Sequence, residues 1–203
     1  MYVLAVTGGI GSGKSTATGL FSSLGAVAID LDDLAKRLIA PDGPLVTQVA
    51  AAFGPAVLDA DGEIDHAKLA TVAFADAEAA RGLDAIVHPG VYAAVAGALD
   101  ALLETPQPPS VVVIGIPLLV ESPIFFDLVD GVLAISSDED ARVGRLMERG
   151  LAEDDVRARM ALQASDAERR DVADFVIEND RTIEDFEAEL LEFWAREMAH
   201  RAA

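Results

Sequence analysis

Cysteine is absent from the 203 residues. That excludes a disulfide framework, thiolate metal ligands and a cysteine nucleophile. Basic residues are scarce too: 15 Lys and Arg stand against 35 Asp and Glu, a net charge of −20. So acidic a surface repels phosphate backbones and anionic headgroups, so neither nucleic acid nor a membrane is expected as an extended partner. A small anionic substrate stays compatible, because a few Arg and Lys focused in a cleft outweigh a distant, screened field. The longest unbroken apolar stretch, Val111–Val120, holds Gly115 and Pro117 and falls short of the roughly 20 residues a membrane-spanning helix needs. No leader pattern opens the chain, since Tyr2–Val6 runs straight into glycines and Lys14. A soluble, cytoplasmic protein is therefore expected. No His/Asp/Glu set has metal-ligand spacing, and His66 and His200 are far apart.

What the chain does have is a repeated strand-then-helix pattern. Tyr2–Val6, Ala26–Ile29, Val111–Ile114, Gly131–Ile135 and Phe175–Ile177 are short apolar runs that read as buried strands. Helices are expected from about Lys14 to Ser23, from Asp33 to Ile39, across Asp138–Arg170 and over Ile183–Met198. The alternation implies an α/β fold, a five-stranded parallel sheet between helical layers. The stretch 44–104 is Ala-rich with helical spacing and too long for one crossover. It reads as a helical insertion, with a turn at Asp59–Gly62 and Asp65 capping the next helix. The core is then 1–43 and 105–203, with a helical lid at about 138–170 inside it. Phe186, Phe193 and Trp194 read as core residues of the last helix.

Gly8-Gly9-Ile10-Gly11-Ser12-Gly13-Lys14-Ser15 satisfies the phosphate-loop pattern G-x-x-x-x-G-K-[ST]. Gly9, Gly11, Ser12 and Gly13 let successive backbone N–H groups converge on phosphate oxygens. The helix that follows aims its positive N-terminal end at the same anion. Lys14 reaches the outer phosphates, the Ser15 hydroxyl suits Mg²⁺, and Thr16 adds an inner phosphate contact. A nucleotide site follows from this, but no particular reaction.

Asp30 and Asp32 follow the second strand, where doubly wound sheets gather ligands. Either acid could accept an acceptor's proton or hold metal-bound water, or simply cap the next helix. Arg142, Arg145 and Arg149 share one helix face, and Arg157 and Arg159 follow. They read either as a lid neutralising a transferred phosphoryl group or as a solvated face paired with nearby acids. His88 beside Pro89 reads as packed or capping, or else as a ligand. Leu118 and Leu119 read as packing, Glu121 as a substrate contact or a solvated acid. Asn179 reads as a base contact or a turn residue.

In order along the chain, Thr7–Thr16, Ile29-Asp30-Leu31-Asp32, Asp84–Pro89, Pro117–Glu121, Arg145–Arg149 with Gln163, and Ala173–Asn179 resemble the dephospho-CoA kinase family. The resemblance implies a P-loop kinase fold with a helical acceptor lobe, using ATP and Mg²⁺ to phosphorylate the 3′-hydroxyl of dephospho-CoA. By it Asp32 is the base, while Lys14 and Arg145 stabilise the phosphoryl group. Arg142, Arg149 and Asn179 join the loop in holding ATP, and Ser15 holds the metal. Asp32, His88, Leu118, Glu121 and Gln163 lie on the acceptor side. The chain departs from the family's usual residues at His66, Asp84, Gly115 and Arg181. Two rivals stay open on the motifs alone: a kinase for another small hydroxyl acceptor, and a nucleotide-driven switch. The Asp-x-x-Gly and Asn-Lys-x-Asp pair of a GTPase is absent.

Overall fold

The computed structural model describes residues 1–73, 75, 77–199 and 201. His200 lies outside them. Five strands are described: β1 (Tyr2–Gly8), β2 (Val27–Asp30), β3 (Val111–Gly115), β4 (Gly131–Ser136) and β5 (Phe175–Glu178). All pair in parallel, in the order β2-β3-β1-β4-β5. The first strand is central; the chain passes to the edge at β2, returns inward to β3, then crosses to β4 and ends at the other edge, β5. That is the doubly wound arrangement expected from the sequence.

The strands are not all buried alike. Residues of β3 and β4 are buried throughout, and β1 is buried from Val3 onward. β2 and β5 are only partly covered, with Val176 38% exposed. They are the sheet's edges, each paired with a strand on one side only. The expectation of buried strands there is corrected by position in the sheet, which short apolar runs do not encode.

The sheet belongs to one of two compact units, Met1–Asp30 together with Asp100–Ala203. In this unit α1 (Lys14–Ser23) follows β1, and α6 (Glu139–Glu148), α7 (Glu153–Met160) and α8 (Asp166–Asp171) separate β4 from β5. α9 (Ile183–Phe193) closes it, running into a π-helical turn, Trp194–Met198, where an uninterrupted α-helix was expected. Phe193, Trp194 and Met198 all enter one core there, with Phe21, Leu4, Val6, Leu133 and Phe186. The wider turn falls where these large side chains crowd one side. Phe21 stacks on Trp194 at 5.4 Å between ring centroids. A smaller apolar group, Val143, Leu146 and Val156 with Ile10 against it, joins α6 and α7 to the loop after β1.

The second unit, Leu31–Leu99, is helical: α2 (Leu31–Leu38), α3 (Val46–Phe53), α4 (His66–Ala73) and α5 (Ala77–Leu103), whose last residues cross into the first unit. It has its own core around Val49, Val57, Leu69 and Ala73. The division falls at Leu31 and Leu99, against 44 and 104 from the sequence, so α2 goes with the helices. Asp65 Oδ1 accepts from the N–H groups of Ala67 and Lys68 at 3.0 and 3.1 Å, the expected cap. Asp59 Oδ1 accepts from Asp61 and Glu63 N–H across the expected turn.

α5 is 27 residues long and passes through Pro89. Within Glu78–Leu103 its mean hydropathy reaches 1.5, so length and composition alone would allow it to cross a membrane. A search for unbroken apolar runs misses this, because Gly, His and Pro interrupt an Ala- and Val-rich helix. Its buried positions Val91, Val95 and Leu99 recur every fourth residue. Such a stripe is the mark of a helix packed on one face within a protein.

Candidate active site

The phosphate loop connects β1 to α1. Gly11 and Gly13 have φ of 79° and 106°, a left-handed backbone that only glycine adopts without strain. At Gly13 a side chain would also meet Asn179 Nδ2 at 2.5 Å. Lys14 opens α1 and is half-buried, Thr16 is half-buried, and Ser15 is exposed. The sequence thus places the amides, the ammonium and the hydroxyl at one helix start.

Residues far along the chain brace the loop. Asn179, just past β5, is 6% exposed, and its Nδ2 donates to the Ser12 carbonyl at 2.7 Å. Arg145 on α6 donates to the Gly11 carbonyl at 3.2 Å, to Ser137 Oγ at 3.0 Å, and to the Asn179 carbonyl. Gln163, after α7, accepts from the Ile10 N–H at 2.9 Å. Glu121, after β3, accepts from the Ala164 N–H at 2.6 Å, next to Gln163. Four of the residues singled out in the sequence therefore make direct contacts within the loop and lid.

Arg142 on α6 lies over Gly9, where any side chain would overlap its Nη1. Arg149, at the C-terminal end of α6, is exposed and makes no hydrogen bond to the loop among the described residues. Arg157 answers to the solvated-face reading, pairing with Glu139, Asp140 and Glu153. Leu119 is buried as expected, but Leu118 is 39% exposed and is not a packing residue. A cleft of about 690 Å³ under the lid is lined by Ser137, Asp138, Arg142, Gln163, Arg170 and Asp180, among others.

Asp32 and His88 belong to the helical unit. Asp32 lies in the first turn of α2, two residues beyond the end of β2. His88 Nε2 lies 3.6 Å from Asp84 Oδ1 one turn earlier on α5. Gly115, in register with Asp30, has no neighbour closer than 3.6 Å to where a side chain would begin, and Arg181 pairs with Glu189.

One residue escaped the sequence reading. Arg169 on α8 is 2% exposed, and its Nε and Nη2 have no hydrogen-bond partner among the described residues. Burial pushes its guanidinium below the usual range, Glu121 opposing this and Arg142 adding to it. The Ser165-x-x-Glu168 capping box opening α8 is legible in the sequence. It makes Arg169 and Arg170 successive helical residues on different faces, so one of them turns inward. Arg170 turns outward to Asp166 and Glu178.

Among the described residues no group of three or more His, Cys, Asp or Glu could hold a metal. Mg²⁺ as a class of ion keeps several waters and leans on substrate phosphates, so it asks for few protein oxygens. The exposed Ser15 hydroxyl is an oxygen donor of the right kind.

A doubly wound parallel sheet, a glycine loop at the carboxyl end of its central strand and arginines from a following helix define a P-loop phosphotransferase. The comparisons narrow the class. The family model for dephospho-CoA kinase matches residues 2–185. A dephospho-CoA kinase of Streptomyces avermitilis is 40% identical over 204 residues, covering 100% of this chain and 96% of the relative. The crystal structure of TT1252 from Thermus thermophilus superposes with a TM-score of 0.79 at 34% identity, covering 98% of each chain. Dephospho-CoA kinase from Campylobacter jejuni superposes with a TM-score of 0.70 at 26% identity, covering 95% of each. The chain belongs to the dephospho-CoA kinase family.

Proposed function

We propose that the protein transfers the γ-phosphoryl group of ATP to the 3′-hydroxyl of the ribose of dephospho-CoA, giving coenzyme A and ADP in the cytoplasm. The observation that carries this is the braced phosphate loop in a chain whose family match runs from residue 2 to residue 185. The loop amides and Lys14 bind and orient the triphosphate. Ser15 is the protein ligand for Mg²⁺, which when bound neutralises charge on the phosphate oxygens. Asp32 accepts the proton of the attacking hydroxyl as the new P–O bond forms and ADP departs. Support for Asp32 comes from its place after β2 and from the family motif Ile29–Asp32. Arg145 and Gln163 hold the loop in shape, Arg142 faces the phosphates, and closure of the lid around 138–170 excludes water. Arg149 and Asn179 stand toward the nucleotide as the resemblance implies. The helical unit, with His88, and the β3 loop, with Leu118 and Glu121, serve the acceptor.

The test is ADP release from Mg-ATP with and without dephospho-CoA, the product being weighed by mass spectrometry. ADP formed only with acceptor, and a product heavier by one phosphate, is the expected result. Turnover of other hydroxyl acceptors with dephospho-CoA untouched would overturn the acceptor assignment. Equally fast ATP hydrolysis without any acceptor would favour a nucleotide-driven switch.

A further inference from the structure

We propose that Arg169, with Arg142 beside it, binds the terminal phosphoryl group of the nucleotide over Gly9. The inference rests on the ATP site of the reading above but asks nothing of the acceptor. Three observations carry it. Arg169 is 2% exposed, yet Nε and Nη2 lack partners among the described residues, and Arg142 Nε is buried without one as well. Both guanidinium groups converge on one glycine of the phosphate loop. A side chain at Gly9 would overlap Arg142 Nη1 and begin 3.5 Å from Arg169 Nη1. Thr7 Oγ1, near the end of β1, and Ser12 Oγ, in the loop, are also buried without a hydrogen-bond partner among the described residues.

Two like charges side by side, one buried and the other half-buried, are costly unless an anion lies between them. The carboxylate that acts most strongly on Arg169 is Glu121, which already accepts from the Ala164 N–H. Ion pairing was available one residue away, where Arg170 takes Asp166 and Glu178, and Arg169 does not use it. Arg145 is placed differently: its donors are spent on the carbonyls of Gly11 and Asn179 and on Ser137 Oγ. Among the described residues, the buried guanidinium N–H groups at the loop without a partner are therefore Nε and Nη2 of Arg169 and Nε of Arg142. A phosphoryl group, with several oxygens sharing charge, is the ligand that such paired forks suit. Because Gly9 is part of the loop that gathers nucleotide phosphates, the phosphoryl group is the nucleotide's outermost.

The experiment is titration calorimetry with ATP, ADP and dephospho-CoA separately, on the wild type, Arg169→Lys and Arg169→Met, with thermal melts of each protein alone. Arg169→Met should weaken ATP by roughly 10- to 100-fold, the loss expected for hydrogen bonds to a charged group. ADP binding should be nearly unchanged, and Arg169→Lys should fall between. Without nucleotide, Arg169→Met should melt no lower than the wild type, because a buried, unfilled charge is removed. Equal losses for ATP and ADP, or a lower melting temperature with the ATP-to-ADP preference intact, would assign Arg169 to structure instead. A loss confined to dephospho-CoA would place it on the acceptor's phosphates and overturn the assignment. A wild type that binds ATP but fails to phosphorylate dephospho-CoA would sink the proposed function and leave this ratio to be read.

Discussion

Asn179 shows how one residue can serve two distant parts of a site. Its side-chain Nδ2 fills the Ser12 carbonyl, while its backbone carbonyl accepts from Arg145 and from Ser137 Oγ. Asn179→Ala would leave a buried carbonyl unfilled, at a cost of about 1–3 kcal/mol. The expected outcome is a lower melting temperature together with weaker ATP binding, since the loop loses its brace; melts and calorimetry on one preparation check both. Asp32→Asn is expected to act on chemistry alone. Loss of a general base lowers kcat by roughly 10²- to 10⁴-fold, with ATP affinity held, which steady-state kinetics and titration separate. In the sequence the phosphate-loop residues were legible because their spacing is a local requirement of phosphate binding. Arg169 was not, because its meaning lies in being buried, and no spacing distinguishes it from its neighbour Arg170.

At the scale of elements, the Asp65 cap was expected from the sequence, while the box on α8 is a signal of the same local kind that went unread. The Asp65 cap on α4 and the Ser165–Glu168 box on α8 follow from local side-chain geometry. Hydrogen bonds hold both carboxyls below the usual range: the Lys68 N–H foremost for Asp65, and the Ser165 hydroxyl foremost for Glu168. A lowered folded value means that the folded chain binds these protons more weakly than the unfolded one. Their contribution is therefore complete above the ordinary carboxylate value, about pH 4, and is lost as pH falls through the folded values. Melts at decreasing pH should show the wild type losing stability below about pH 4, and Glu168→Gln declining less steeply there. For α9, where Thr182 Oγ1 accepts from the Asp185 N–H, Thr182→Ala should cost about 1 kcal/mol by denaturant titration. Other features were hidden for tertiary reasons. The edge strands β2 and β5 carry the same kind of apolar run as the interior ones. The length of α5 was not read either: the helical insertion was expected without bounds for its helices, and neighbouring turns carry α5 past Pro89.

Across the whole molecule, the −20 charge is spread over a chain whose few arginines are drawn toward the loop and lid. Repulsion among surface carboxylates opposes compactness and is screened by salt. Raising NaCl from about 0.05 to 0.5 M should shorten the Debye length enough to raise the melting temperature; a flat or falling curve would show that the paired arginines dominate.

The bond between Asn179 and Ser12 spans 167 positions of sequence. During synthesis the first loop leaves the ribosome long before its brace exists. A nascent chain should therefore acquire tight nucleotide binding only when translation has passed β5. Stalled chains ending before and after Asn179 would then differ sharply in retention on immobilised ATP, making nucleotide capture a report on whether the last strand has been made.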